Sequence, residues 1–208
     1  KKGVFKTRLR NGEVVECRCN CIEQWLLMRR FQAANLDRSH WRFSHNHVQT
    51  VPDDVWDRVT RYTADLPGKL RSGLGMVLWS DRRGTGKSML TSLILKEAIA
   101  QGLSAYYIRF VEMKDLNAAG WRDPVERDYF ARMIQNIDVL GLDEVGKEQA
   151  TERSAGMVDE LFDRVLRSRV ANLRPVILNS NLDPDSEVVG QGFERYQRDV
   201  VELLSEGA

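Results

Sequence analysis

Between residues 75 and 181 the apolar positions come in two alternating arrangements. Gly75-Met76-Val77-Leu78-Trp79, Leu103 to Phe110, Ile137-Asp138-Val139-Leu140-Gly141-Leu142 and Pro175-Val176-Ile177-Leu178 are short, nearly continuous apolar runs, and each is read as a buried strand. The segments between them carry helical spacing. Leu90, Leu93, Ile94 and Ala98 share one helical face after the first run. Met157, Val158, Leu161, Phe162, Val165 and Leu166 repeat in the same way over 154–170. Residues 111–134 are more polar and read as a partly helical insertion. Strands alternating with helices predict an α/β fold, a parallel sheet flanked by helices.

The N-terminal quarter is patterned differently. Val4 to Leu9 and Val14 to Cys17 flank Arg10-Asn11-Gly12-Glu13, and Asn-Gly between two such runs predicts a β-hairpin. Residues 22–35 read as a helix with Ile22, Trp25 and Leu26 on one side. Residues 36–51 lack periodicity and read as a connector. Pro52 suits a helix start, with Val55, Val59 and Tyr62 at helical spacing, and Pro67-Gly68 is expected to end that helix. A last helix is expected to carry Tyr196, Val200 and Leu204 inward. The chain divides on this reading into an N-terminal region, 1–51, and a main domain, 52–208.

The chemistry concentrates where the first strand of the main domain meets its helix. Ser80-Asp81-Arg82-Arg83-Gly84-Thr85-Gly86-Lys87-Ser88 follows an apolar run and opens a helix, the setting of a phosphate-binding loop. Gly84, Thr85 and Gly86 let backbone N–H groups approach a polyphosphate at a helix N-terminus. Lys87 would reach the β- and γ-phosphates, and Ser88 would hold Mg²⁺. Asp81 stands where the pattern asks for glycine, and a carboxylate there is expected to weaken phosphate binding. Downstream, the third run ends in Asp143-Glu144. Asp143 would act on Mg²⁺ and Glu144 would polarise an attacking water. Asn181, with Asn179 as runner-up, sits at the end of the last strand, at the edge of a parallel sheet that faces ligand.

Charge changes this picture little. The 208 residues carry 31 Lys and Arg against 30 Asp and Glu, a net charge of +1, so nucleic-acid binding would have to come from a local patch. No apolar run approaches the roughly 18 residues of a membrane span, and a cytoplasmic protein without membrane association is expected. Cys17, Cys19 and Cys21 are the three cysteines of the chain. A structural disulfide is not expected in that compartment, and the cluster reads either as half of a zinc-ribbon-like Zn²⁺ site or as reduced surface thiols. The other half of such a site would be a cysteine pair before Lys1, and since the chain opens without Met it is expected to begin inside a longer protein. His40, His45 and His47 are the other local ligand candidates.

The order strand, phosphate loop, helix, strand, insertion, acidic strand, helix, Asn-tipped strand is similar to the core of an AAA+ (ASCE) P-loop ATPase. Val139 to Glu148, followed by Ile177-Leu178-Asn179-Ser180-Asn181-Leu182, resembles the DnaC/IstB-type group, most of all the DnaC-type replicative helicase loaders. Cys17-Arg18-Cys19 ahead of an Arg-containing helix resembles that group too. The resemblance implies Walker A, Walker B and sensor-1 roles for Lys87 and Ser88, for Asp143 and Glu144, and for Asn181. It implies an arginine finger at Arg198, with Arg195 as runner-up. It also implies a single-stranded DNA contact in the insertion, with Trp121 stacking on a base and Lys114, Arg122, Arg127 and Arg132 facing phosphates. The expected activity is ATP-dependent loading of a hexameric replicative helicase onto single-stranded DNA. The N-terminal region would bind the helicase, and ATP sites would join neighbouring copies. The chain stops before any obvious lid. Two other readings are an IstB-like transposition helper ATPase on duplex DNA and a non-hydrolysing helicase or DNA adaptor with a vestigial P-loop. A P-loop small-molecule kinase stands further off, since no acceptor site is legible.

Overall fold

A computed structural model of the protein describes residues 4–18, 21–42, 51–146 and 152–183. Strands β1 (Val4–Arg8) and β2 (Val14–Arg18) form the expected hairpin, with Val4 opposite Arg18 and Arg8 opposite Val14. Gly12 takes φ 86°, and Asn11 Oδ1 accepts from Glu13 N at 3.0 Å, so the Asn-Gly turn is closed by its own side chain. Helix α1 (Cys21–Ala33) follows. Its apolar side is not a core face: Ile22, Trp25, Leu26 and Met28 are exposed, and only Phe31 is buried.

The connector has more structure than its sequence suggests. Asn35 turns the chain in the left-handed region at φ 55°, which asparagine tolerates, and a 3₁₀ turn covers Arg38–Arg42. Trp41 Nε1 donates to Leu36 O at 2.9 Å, and Lys96 Nζ donates to Trp41 O at 2.9 Å.

Helix α2 (Asp53–Ala64) begins after Pro52 as expected. Its end is not made by Pro67-Gly68. Those residues lie inside a further helix, α3 (Leu66–Ser72), where Pro67 occupies the first turn and Asp65 caps it by accepting from Gly68 N at 2.9 Å. Proline lacks only an N–H that a first turn leaves unpaired anyway, so it opens a helix as readily as it stops one.

The main domain then alternates strands with helical segments: β3 (Met76–Trp79), α4 (Lys87–Ala100), β4 (Ala105–Arg109), α5 (Phe110–Ala119), α6 (Pro124–Phe130), a π turn over Ala131–Gln135, β5 (Val139–Val145), α7 (Glu152–Ala171) and β6 (Val176–Ser180). The four strands are parallel in the order β3-β6-β5-β4. Alternate residues feed two cores. Tyr106, Ile108, Leu140, Leu142, Val176 and Leu178 pack against α5 and α7. Leu78, Ala105, Val139 and Ile177 pack against α2 and α4, and Phe31, Ala34 and Leu36 of the N-terminal segment join them. The sheet is thereby covered on both faces, as a parallel sheet requires.

Arg169 of α7 is fully buried and serves as an internal tie. Its guanidinium donates to Ile134 O at 2.7 Å, Asp138 O at 3.1 Å and Pro175 O at 2.9 Å. It therefore fastens the π turn to the starts of β5 and β6.

Candidate functional site

The site is built at the C-terminal edge of the sheet, where strands end and the N-terminus of α4 begins. Gly84 and Gly86 have φ of 75° and 90°, a conformation that costs glycine nothing, and they carry the loop into α4. Asp81 shows no such backbone: it lies outside the positive-φ residues, is exposed, and does not line the cleft. Nothing in the local geometry demands glycine there. Lys87 Nζ lies over the loop, donating to Ser80 O and Arg82 O at 3.1 Å each.

A cleft of about 360 Å³ opens above this loop. Gly84, Thr85, Gly86, Lys87, Ser88, Asp143, Glu144, Asn179 and Asn181 all line it. The elements explain the convergence. β3 delivers the loop, while β5 and β6 end beside it, so residues far apart in sequence share one edge. Glu144 stands at a break in the β5–β6 register and takes φ 60°, unusual for a residue with a side chain. Such backbone is held only where surroundings enforce it, and it concentrates at functional sites. Asp143 Oδ1 accepts from Glu144 N at 2.7 Å, which helps to hold it.

Asp143 is buried, and Tyr107 of β4 donates its hydroxyl to Asp143 Oδ2. Burial, followed by that bond to Asp143, pushes the Tyr107 phenol well above its ordinary range, so the hydroxyl keeps its proton. Ser88 and Asp143 both line the cleft. They offer a hydroxyl and a carboxylate, hard oxygen ligands beside a phosphate loop, and they fit Mg²⁺. Asn179 is buried, accepts from Thr91 Oγ1 at 2.8 Å, and its Nδ2 has no hydrogen-bond partner among the described residues. Asn181 is only partly buried and lines the open cleft.

Two residues at this site were not assigned to it by the sequence. Tyr107 looks like any strand residue. His40 is grouped by sequence with the cysteines, but the fold carries it to the cleft, where its Nδ1 lies 2.8 Å from Ser92 Oγ. Burial holds its imidazole below the ordinary histidine range, against the pull of Asp37 and Asp143.

The zinc expectation finds no support. Cys21 is disulfide-bonded, contrary to the expectation of reduced thiols, and its sulfur is withdrawn from any thiolate set. Among the described residues no three His, Cys, Asp or Glu side chains gather as metal ligands. The Cys17 side chain, Cys19, His45 and His47 lie outside the described residues, as do Arg195, Arg198 and the expected last helix. Trp121 is 64% exposed at the corner between α5 and α6. Arg122, Arg127 and Arg132 are exposed, and Lys114 is half-buried. Asp115, Asp123, Glu126 and Asp128 stand in the same insertion, so the surface is mixed rather than strongly basic. Among the described residues no helix is long and apolar enough to cross a membrane.

No family model matches the chain. The replicative helicase loader DnaC of Escherichia coli (strain K12) is 22% identical over 137 residues, covering 64% of this chain and 53% of the relative. The chain thus spans about half the length of the curated relatives it matches. A crystal structure of the DnaC helicase loader superimposes with a TM-score of 0.66 at 18% identity, covering 82% of this chain and 96% of that one. The replication initiator DnaA, solved bound to AMPPCP and single-stranded DNA, gives 0.57 at 16% identity over 73% of this chain and 43% of that one. The α/β architecture expected from the sequence is the one observed, and the resemblance to DnaC-like AAA+ proteins holds in both comparisons.

Proposed function

We propose that this DnaC-like AAA+ protein is an ATPase that loads a replicative DNA helicase onto single-stranded DNA. The observation that carries the reading is the convergence of Lys87, Ser88, Asp143, Glu144 and Asn181 on one cleft. The likeness to DnaC supports the loader role, and the nucleotide-bound DnaA neighbour supports ATP as the ligand.

The chain's own residues divide the work. Backbone N–H groups of Gly84 to Ser88 and the N-terminus of α4 would cradle the phosphates. Lys87 would exchange its loop carbonyls for phosphate oxygens. Ser88 and Asp143 would hold Mg²⁺, which supplies charge neutralisation at the phosphates. Glu144 would orient water and take its proton, and Asn181 would hydrogen-bond the γ-phosphate or that water. Arg198 of a neighbouring copy would complete the site, so self-association belongs to this reading. The region 1–51 would hold the hexameric helicase, and Trp121 with Arg122, Arg127, Arg132 and Lys114 would meet DNA.

ATP hydrolysis by the purified protein, with and without single-stranded DNA, tests this beside Glu144→Gln. DNA-stimulated turnover is expected, falling at least 100-fold in the variant while nucleotide binding persists. No nucleotide binding at millimolar ATP would leave a helicase or DNA adaptor as the better reading.

A further inference from the structure

Tyr107 occupies a position that joins three parts of the molecule. Its hydroxyl donates to the Asp143 carboxylate, one of the two groups fit for the metal. Its main chain is held from the other side. Tyr107 N donates to Ala34 O at 2.8 Å, and Asn35 Nδ2 donates to Tyr107 O at 2.9 Å. β4 is the sheet's edge strand in the described structure, so these bonds replace the ones a neighbouring strand would make. The residue that holds the Asp143 carboxylate is thus clamped by the segment leading out of α1.

The hydrogen directions give the contact a consequence. Tyr107 spends its hydrogen on Asp143 Oδ2, while Glu144 N holds Oδ1. The carboxylate plane is therefore fixed from both ends, and a buried carboxylate fixed beforehand loses less freedom when the ion arrives.

We infer that Tyr107 is a positioning residue for the magnesium–nucleotide centre, and that the Ala34–Asn35 clamp makes this centre answer to the N-terminal segment. The inference rests on reading the cleft as a nucleotide site. Signals from whatever the N-terminal region binds would reach Asp143 through β4, without a long chain of intermediaries.

The test measures binding of a fluorescent ATP analogue to the full chain, in EDTA and across a Mg²⁺ titration. Tyr107→Phe is expected to leave affinity in EDTA within twofold and to raise the Mg²⁺ needed for half-maximal enhancement by three- to tenfold. Asn35→Gly keeps the left-handed turn and removes the side-chain clamp, so it is expected to shift the Mg²⁺ midpoint the same way by a smaller factor. Thermal midpoints of both variants separate this effect from general loosening. An unchanged or lowered Mg²⁺ requirement in Tyr107→Phe overturns the positioning role, and an unchanged one in Asn35→Gly overturns the clamp. Failure of the unmodified protein to bind the analogue at all overturns the nucleotide reading together with this inference. Lys87→Ala, which is expected to weaken binding in EDTA and Mg²⁺ alike, is the control.

Discussion

His40 Nδ1 and Ser92 Oγ lie 2.8 Å apart, joining the 3₁₀ turn of the N-terminal segment to α4 one helical turn past Ser88. The Ser92 hydroxyl donates to Ser88 O at 2.9 Å, so its one hydrogen is spent and Nδ1–H of His40 must be the donor. The neutral ring is thereby assigned its tautomer by a backbone carbonyl two steps away.

Burial lowers the His40 pKa, and this makes folding pH-dependent. Between the folded and unfolded values the unfolded chain binds more protons, so stability rises with pH in that window. The contribution is fully present above the ordinary histidine value near 6.5 and is lost as pH falls below it. The thermal midpoint is expected to drop between pH 7 and pH 5, and to drop less in His40→Gln. Equal slopes for the two proteins would remove His40 as the cause.

Asp81 interrupts the glycine pattern of the phosphate loop without straining it, since its φ is not positive and its side chain is exposed. Asp81→Gly is expected to change ATP affinity by less than about threefold at 0.15 M salt, where exposed charges are well screened. A tenfold gain measured by calorimetry would show that the carboxylate does oppose phosphate.

Gly141 lets α4 lie close on β5. A Cβ at that position would sit 2.8 Å from Leu95 Cδ1 and 2.8 Å from Thr91 Cγ2. Thr91 cannot swing aside freely because its hydroxyl is bonded to Asn179. Gly141→Ala is expected to cost about 1–3 kcal/mol by overpacking, read as a lower urea midpoint. Nucleotide affinity should fall as well, because α4 carries Lys87 and Ser88.

Arg169→Met removes the donor to Ile134 O, Asp138 O and Pro175 O while roughly conserving volume. Each buried carbonyl left unpaired costs about 1–3 kcal/mol. A loss of about 3 kcal/mol or more is expected in denaturant unfolding. A loss under about 1 kcal/mol would mean that water takes over these carbonyls.

What the sequence determined by itself was everything that depends on local pattern and short spacing. The apolar runs at Met76–Trp79, Ala105–Arg109, Val139–Val145 and Val176–Ser180 became the four parallel strands. Asn11-Gly12 made the hairpin, since a two-residue signal suffices where a turn needs positive φ. Lys87 with Ser88 and Asp143 with Glu144 were legible as chemistry because a phosphate loop must follow a strand and open a helix. Only the tertiary structure decided which distant residues share a position. Tyr107 reaches Asp143 because β4 and β5 lie side by side with Tyr107 opposite Gly141. His40 belongs to the cleft because Phe31, Ala34 and Leu36 bury themselves against α2 and α4 and carry the 3₁₀ turn with them. Pro67 opens a helix rather than ending one because Asp65 is there to cap it. Pairing across a sheet and burial against another element are relations between segments, and a pattern read along one segment does not contain them.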